Sequence, residues 1–154
     1  MAGQCEGQRL FGQAIFSSHV FQGSEPISAA RDAAREFVTG VQAVRGVPVS
    51  ARVMDVVQLV VSELVTNAYK HAPGPCLLDL EADGGSVEIR VWDAGTTLPT
   101  IHPPDSKRIG QHGLEIVTCV CRSLEMRREP VGKRITAVIA LADDANGHPA
   151  GSAM

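Results

Sequence analysis

The stretch "SELVTNAYKHA", residues 62–72, reads as the end of a helix whose polar residues stand in the wrong place for a solvated stripe. Val53, Val56, Val57, Val60, Leu64 and Ala68 recur at helical period and form one apolar stripe. With Val60 at zero on a wheel of 100° per residue, Val53 falls at about 20°, Leu64 at about 40°, Val57 at about 60° and Ala68 at about 80°. On the same wheel Glu63 falls at about −60°, Asn67 at about −20° and His71 at about 20°. These polar side chains lie on or beside the core-facing arc. Each costs about 1–3 kcal/mol there unless something satisfies it. Two accounts are open at this point. Asn67 and His71 bond to loop backbone while Glu63 rims the helix, or the three are held there for chemistry.

Ser50 is placed to cap this helix, which the pattern predicts over about 51–72, and Pro73-Gly74-Pro75 stops it. Upstream, "SAARDAAREFVTGV" follows Pro26, with Ser28 as its N-cap and Ala30, Ala33, Ala34, Phe37, Val38 and Val41 at helical period. Gly46-Val47-Pro48 closes that unit, and "AIFSSHVFQG" before it reads as a first strand ending at Gly23. Downstream, "CLLDLEAD", Gly84-Gly85 and "SVEIRVWDA" make a β-hairpin. Residues 96–111 are polar, carry Pro99, Pro103 and Pro104, and form a long irregular loop. Loops of that length in compact domains are usually functional or disordered. "HGLEIVTCVCRSL" is a third helix; "SLEMRRE" and "RITAVIALA" are two more strands, turned at Pro130 to Gly132. The predicted order is β, α, α, β, β, loop, α, β, β. That order gives an α/β (α+β) two-layer sandwich, a mostly antiparallel sheet covered on one face by about three helices. Residues 1–12 and 142–154 are small, polar or Gly-rich and are expected to be flexible, leaving 13–141 as the domain.

Composition excludes several function classes. The chain has 154 residues, enough for one domain with its own core. It is 44% hydrophobic but only 4% aromatic, so that core is aliphatic. A net charge of −3 with no dense basic block argues against direct nucleic-acid binding. No apolar run reaches the roughly 18 residues of a membrane span. "MAGQCEGQRLFGQ" lacks the basic-then-apolar order of a signal peptide, so a cytoplasmic location is expected. Cys5, Cys76, Cys119 and Cys121 include no CxxC and no His at ligand spacing, so they read as buried or idle thiols.

Two further motifs bear on the opening stretch. In "SVEIRVWDAG", Val87, Ile89, Val91 and Asp93 alternate onto one face, so Asp93 ends a core-facing row. A carboxylate there needs a donor, and Gly95 allows another group to approach closely; a plain strand-end turn is the competing account. In "RIGQHGLEIV", Gly110 and Gly113 stand around a helix start, where exposed N–H groups suit an anion. No GK[ST] follows, so this is not a Walker P-loop, and it is not a Rossmann fingerprint.

Taken in order, ExxxN on a helix, DxG after a strand, and GxxGL opening a helix after a long loop resemble the Bergerat-fold ATP-binding domain shared by gyrase, MutL and histidine kinases. The resemblance spans about residues 14–141. The short form, with "SELVTNAYKHA" after a small N-terminal unit, is most similar to the stand-alone anti-sigma-factor serine kinases of bacteria. The resemblance implies ATP and Mg²⁺ as cofactors. It places Asn67 on the metal and Glu63 as general base on the attacking hydroxyl. It puts Lys70 or His71 toward the phosphates or the lid, Asp93 on the adenine amino group and Gly95 where the base needs room. It makes Gly110, Gly113 and Leu114 the lid hinge and phosphate-facing helix start, with residues 96–111 as the lid. Two positions depart from the family pattern. Thr97 replaces the second glycine of DxGxG, and in Gly132-Lys133-Arg134 the residue Arg134 stands where a hydroxyl supporting the adenine site is expected.

The function this implies is an ATP-dependent protein serine/threonine kinase that is also an anti-sigma factor. It would sequester a sigma factor and phosphorylate a STAS-type anti-anti-sigma partner, and it would be a homodimer. Thr97 and Arg134 motivate an alternative, a non-catalytic anti-sigma or protein-binding module with a weakened ATP site. A histidine-kinase catalytic domain fits less well. Residues 1–50 are too short for a sensor and a dimerisation hairpin, and His19 lies in a predicted strand.

Overall fold

The structure is a computed structural model that describes residues 14–46, 48–72, 74–95 and 113–142. Its elements run β1 (Ile15–Phe21), α1 (Ile27–Arg45), α2 (Ala51–His71), β2 (Cys76–Asp83), β3 (Ser86–Asp93), α3 (Gly113–Val120), β4 (Ser123–Arg128) and β5 (Lys133–Ala140). This is the element order read from the sequence. The strands lie in the order β1-β2-β3-β5-β4, and every neighbouring pair is antiparallel. Of the expected flexible ends, 1–12 and 143–154 lie outside the described residues, as does the whole of the expected lid, 96–111.

Alternation builds the sheet. Leu78, Leu80, Val87, Ile89, Val91, Ile135, Ala137 and Ile139 point to one face and are buried with the helices' apolar stripes. On α2, Val53, Val57, Val60, Val61, Leu64 and Val65 are fully buried, each worth about 1.5–3 kcal/mol of burial. The Ser50 side chain accepts from the Val53 N–H at 3.1 Å, so α2 starts where the cap predicts. The first helix differs at its start. Its N-cap is Pro26, with no side-chain cap, and Ser28 lies inside the first turn. Proline's fixed φ and missing N–H suit a helix entry, and this overrides the Ser28 signal.

The third helix is shorter than its pattern. It ends at Val120, because Arg122 N–H already donates to Val138 O at 2.7 Å and starts the β4–β5 ladder. Cys121 therefore lies just past the helix, buried. One register row positions everything that follows. Phe21 pairs with Cys76, Cys76 with Asp93, and Asp93 with Lys133.

Candidate functional site

The last two turns of α2 carry the polar constellation. Leu64, Val65 and Ala68 fix the helix against the core, and this turns Asn67 inward with only 9% of its surface exposed. Its Oδ1 is buried and has no hydrogen-bond partner among the described residues. Among the described residues, no loop backbone satisfies this oxygen. Glu63, one turn earlier, is half-buried and rests against the α-carbon of Gly113, the first residue of α3. A side chain at position 113 would run into the Glu63 carboxylate. The negative carboxylate at a helix N-terminus is favourably placed in the helix dipole. Lys70 and His71 are exposed at the end of α2. For His71 this departs from its place on the apolar arc: it is the last helical residue, and no element among the described residues covers it. Leu114 is half-buried against the core, while Gly110 and Thr97 lie outside the described residues.

Asp93 closes the core-facing row of β3 and is buried. The donor it requires is one the sequence reading missed, Lys133. The lysine ammonium lies 2.8 Å from Asp93 Oδ2 and donates to Oδ1 at 2.9 Å. The two side chains are 0% and 1% exposed. The Gly95 N–H donates to Oδ1 as well, at 2.8 Å. Removing one partner of such a buried pair costs about 3–5 kcal/mol, because it strands the other charge. Arg134, expected beside the adenine end, is on the opposite face. Period-two alternation along β5 sends it away from Asp93. Its guanidinium lies 5.0 Å from the Trp92 ring centroid and its Nε 3.4 Å from Glu129 Oε2. The signal for Lys133 was present: counting back by two from Ile139, Ala137 and Ile135 gives 133 on the inner face.

Around this pair the chain is tight. Cys76, opposite Asp93 in the register, is buried, and burial followed by the Asp93 and Glu25 charges pushes its thiol up to about 11. Glu25 accepts from the N–H groups of Gln22 and Gly23, and Tyr69 donates its hydroxyl to it at 3.4 Å. Burial first, then the Glu25 charge, raises the Tyr69 phenol. No cluster of three His, Cys, Asp or Glu side chains suited to a metal occurs among the described residues.

A family model described as the histidine kinase-like ATPase domain matches residues 27–139, from the start of α1 to the end of β5. The chain belongs to that family. A search of the curated proteins finds no match.

Membership of the histidine kinase-like ATPase domain family supports ATP as the ligand. The residues at the end of α2 fit a metal-bound phosphate. Asn67 offers a hard oxygen that is buried and unpartnered, the donor type Mg²⁺ takes. The close approach of Glu63 to the glycine opening α3 brings a carboxylate beside it. At the base end the fit is narrower, since Lys133 already holds both oxygens of Asp93. Among the described residues no helix is long and apolar enough to cross a membrane.

Proposed function

We propose that the chain is a cytoplasmic, ATP-dependent protein serine/threonine kinase that also acts as an anti-sigma factor. The observation that carries this reading is the buried, unpartnered Oδ1 of Asn67, one helical turn from Glu63. Spacing by four keeps a base and a metal ligand on one helix face, as in-line phosphoryl transfer requires. Mg²⁺, when bound, supplies neutralisation of the phosphate charge. Asn67 holds that ion, and Glu63 accepts the proton of the attacking serine or threonine hydroxyl. Asp93 accepts from the exocyclic amino group of the base. The partners are a sigma factor, sequestered until the antagonist competes, and that antagonist, a STAS-type anti-anti-sigma protein, whose phosphorylation adds charge at the interface and weakens its hold. A homodimer is the proposed assembly, by family resemblance.

A second reading is favoured by the Asp93–Lys133 pair. It is sequestration of a sigma factor without phosphotransfer, the nucleotide site being weak. One experiment separates the two. The chain is incubated with purified anti-anti-sigma proteins and ATP labelled at its γ-phosphate. The kinase reading predicts label on a serine or threonine of one of them, abolished by Glu63→Gln. Complex formation with a sigma factor and no transfer to any candidate would leave the sequestration reading.

A further inference from the structure

We infer that Lys133 is an internal occupant of the nucleobase end of the site, so that the chain grips a nucleotide by its phosphates and reads the base poorly. The inference rests on the proposed nucleotide site and concerns one end of it. Three observations carry it.

The first is hydrogen-bond accounting at Asp93. A carboxylate oxygen accepts about two hydrogen bonds. Oδ1 takes both the Lys133 ammonium and the Gly95 N–H, and Oδ2 lies 2.8 Å from the same ammonium. One acceptor position is left on Oδ2 for an incoming amino group.

The second is space. Glycine at 95 leaves a notch where a side chain would stand. The Lys133 Nζ fills it, 3.0 Å from where a β-carbon would be, with the Ala72 β-carbon and Asp93 Oδ1 each at 3.1 Å. The room that Gly95 gives is taken by the lysine head.

The third is that Lys133 is held. It is fully buried, its register places it directly across from Asp93, and the preceding Gly132 packs against the Asp93 backbone. Swinging the ammonium out means separating a buried ion pair. A base entering this end competes with that pair and gains little by displacing it.

Calorimetry on the full chain tests this, with Mg-ATP and Mg-tripolyphosphate as ligands. In the wild type the two should bind within about threefold of each other, because the base adds under about 0.7 kcal/mol. Lys133→Ser opens the notch and frees Asp93. ATP should then bind about tenfold tighter or more, with tripolyphosphate unchanged. ATP binding wild type at least about tenfold tighter than tripolyphosphate would overturn the inference, and so would a Lys133→Ser variant that binds ATP more weakly. If Lys133→Ser does not fold, the wild-type comparison alone decides. The failure of the underlying reading looks different. Neither ligand then binds wild type or variant, or binding survives Asn67→Ala, and the nucleotide site itself is wrong.

Discussion

Gly132 stands against the carbonyl of Asp93, at a φ of +86°, with no room between them for a side chain. The turn from β4 into β5 therefore docks on the strand end that carries the Asp93 carboxylate, and the next residue, Lys133, is delivered to that carboxylate. Gly132→Ala should cost at least about 1–3 kcal/mol from the positive φ alone, with the collision added. Urea unfolding checks it. A variant within about 0.5 kcal/mol of wild type would mean that the turn does not fix this corner.

The Ser50 cap sets where α2 begins and hence which side chains its far end turns inward. Ser50→Ala removes the bond to the Val53 N–H and should destabilise the fold by about 1 kcal/mol. Ser50→Gly should cost only a few tenths of that unit, since glycine is a fair N-cap. Equal losses for both would point to packing rather than capping.

Leu64 is fully buried on α2, while Lys70, six residues on, is exposed. Leu64→Ala should cost about 2–5 kcal/mol through lost burial and a cavity. Lys70→Ala should stay within about 0.5 kcal/mol of wild type. Thermal or denaturant unfolding of the pair reads both. A large loss at Lys70 would show that it has a structural partner.

The thiols give a pH dependence. Burial pushes Cys121 up to about 12 from an ordinary 9.0, and burial with nearby carboxylates pushes Cys76 up to about 11. Above about pH 9 the unfolded chain loses these protons while the folded chain keeps them. Their stabilising contribution is complete below pH 9 and is lost progressively as pH rises toward the folded values. Melting temperature should therefore fall from pH 9 to 11, and less steeply in Cys76→Ala and Cys121→Ala. At pH 8 a thiol reagent should modify exposed Cys119 before either buried thiol. An unchanged slope in both variants would contradict this account.

The fold was legible because its signals agree. Alternation at Val87, Ile89 and Val91 with the Gly84-Gly85 turn marks the hairpin, and the 3.6-residue stripe from Val53 to Ala68 marks α2. Boundaries moved where tertiary structure won. Pro26 rather than Ser28 starts α1, and the β4–β5 ladder cuts α3 short at Val120. At the site, the wheel placed Asn67 inward correctly but not His71, because a wheel does not know where cover ends. The need for a donor at Asp93 is legible in the sequence, but matching a motif puts Arg134 at the adenine end and leaves that donor, Lys133, unnamed. Alternation along β5 contained the answer, but a lysine head in a core row is so costly that its partner, forty residues earlier, has to be placed first.

On the proposed function, the inward polar face of α2 holds a metal-bound nucleotide phosphate. Calorimetric titration with ATP into the millimolar range, with and without Mg²⁺, for wild type and Asn67→Ala, reads this out. Binding should need Mg²⁺ and be lost, or weakened by about tenfold or more, when the unpartnered Oδ1 is removed. No binding by the wild type, or the same isotherm for Asn67→Ala, would contradict it.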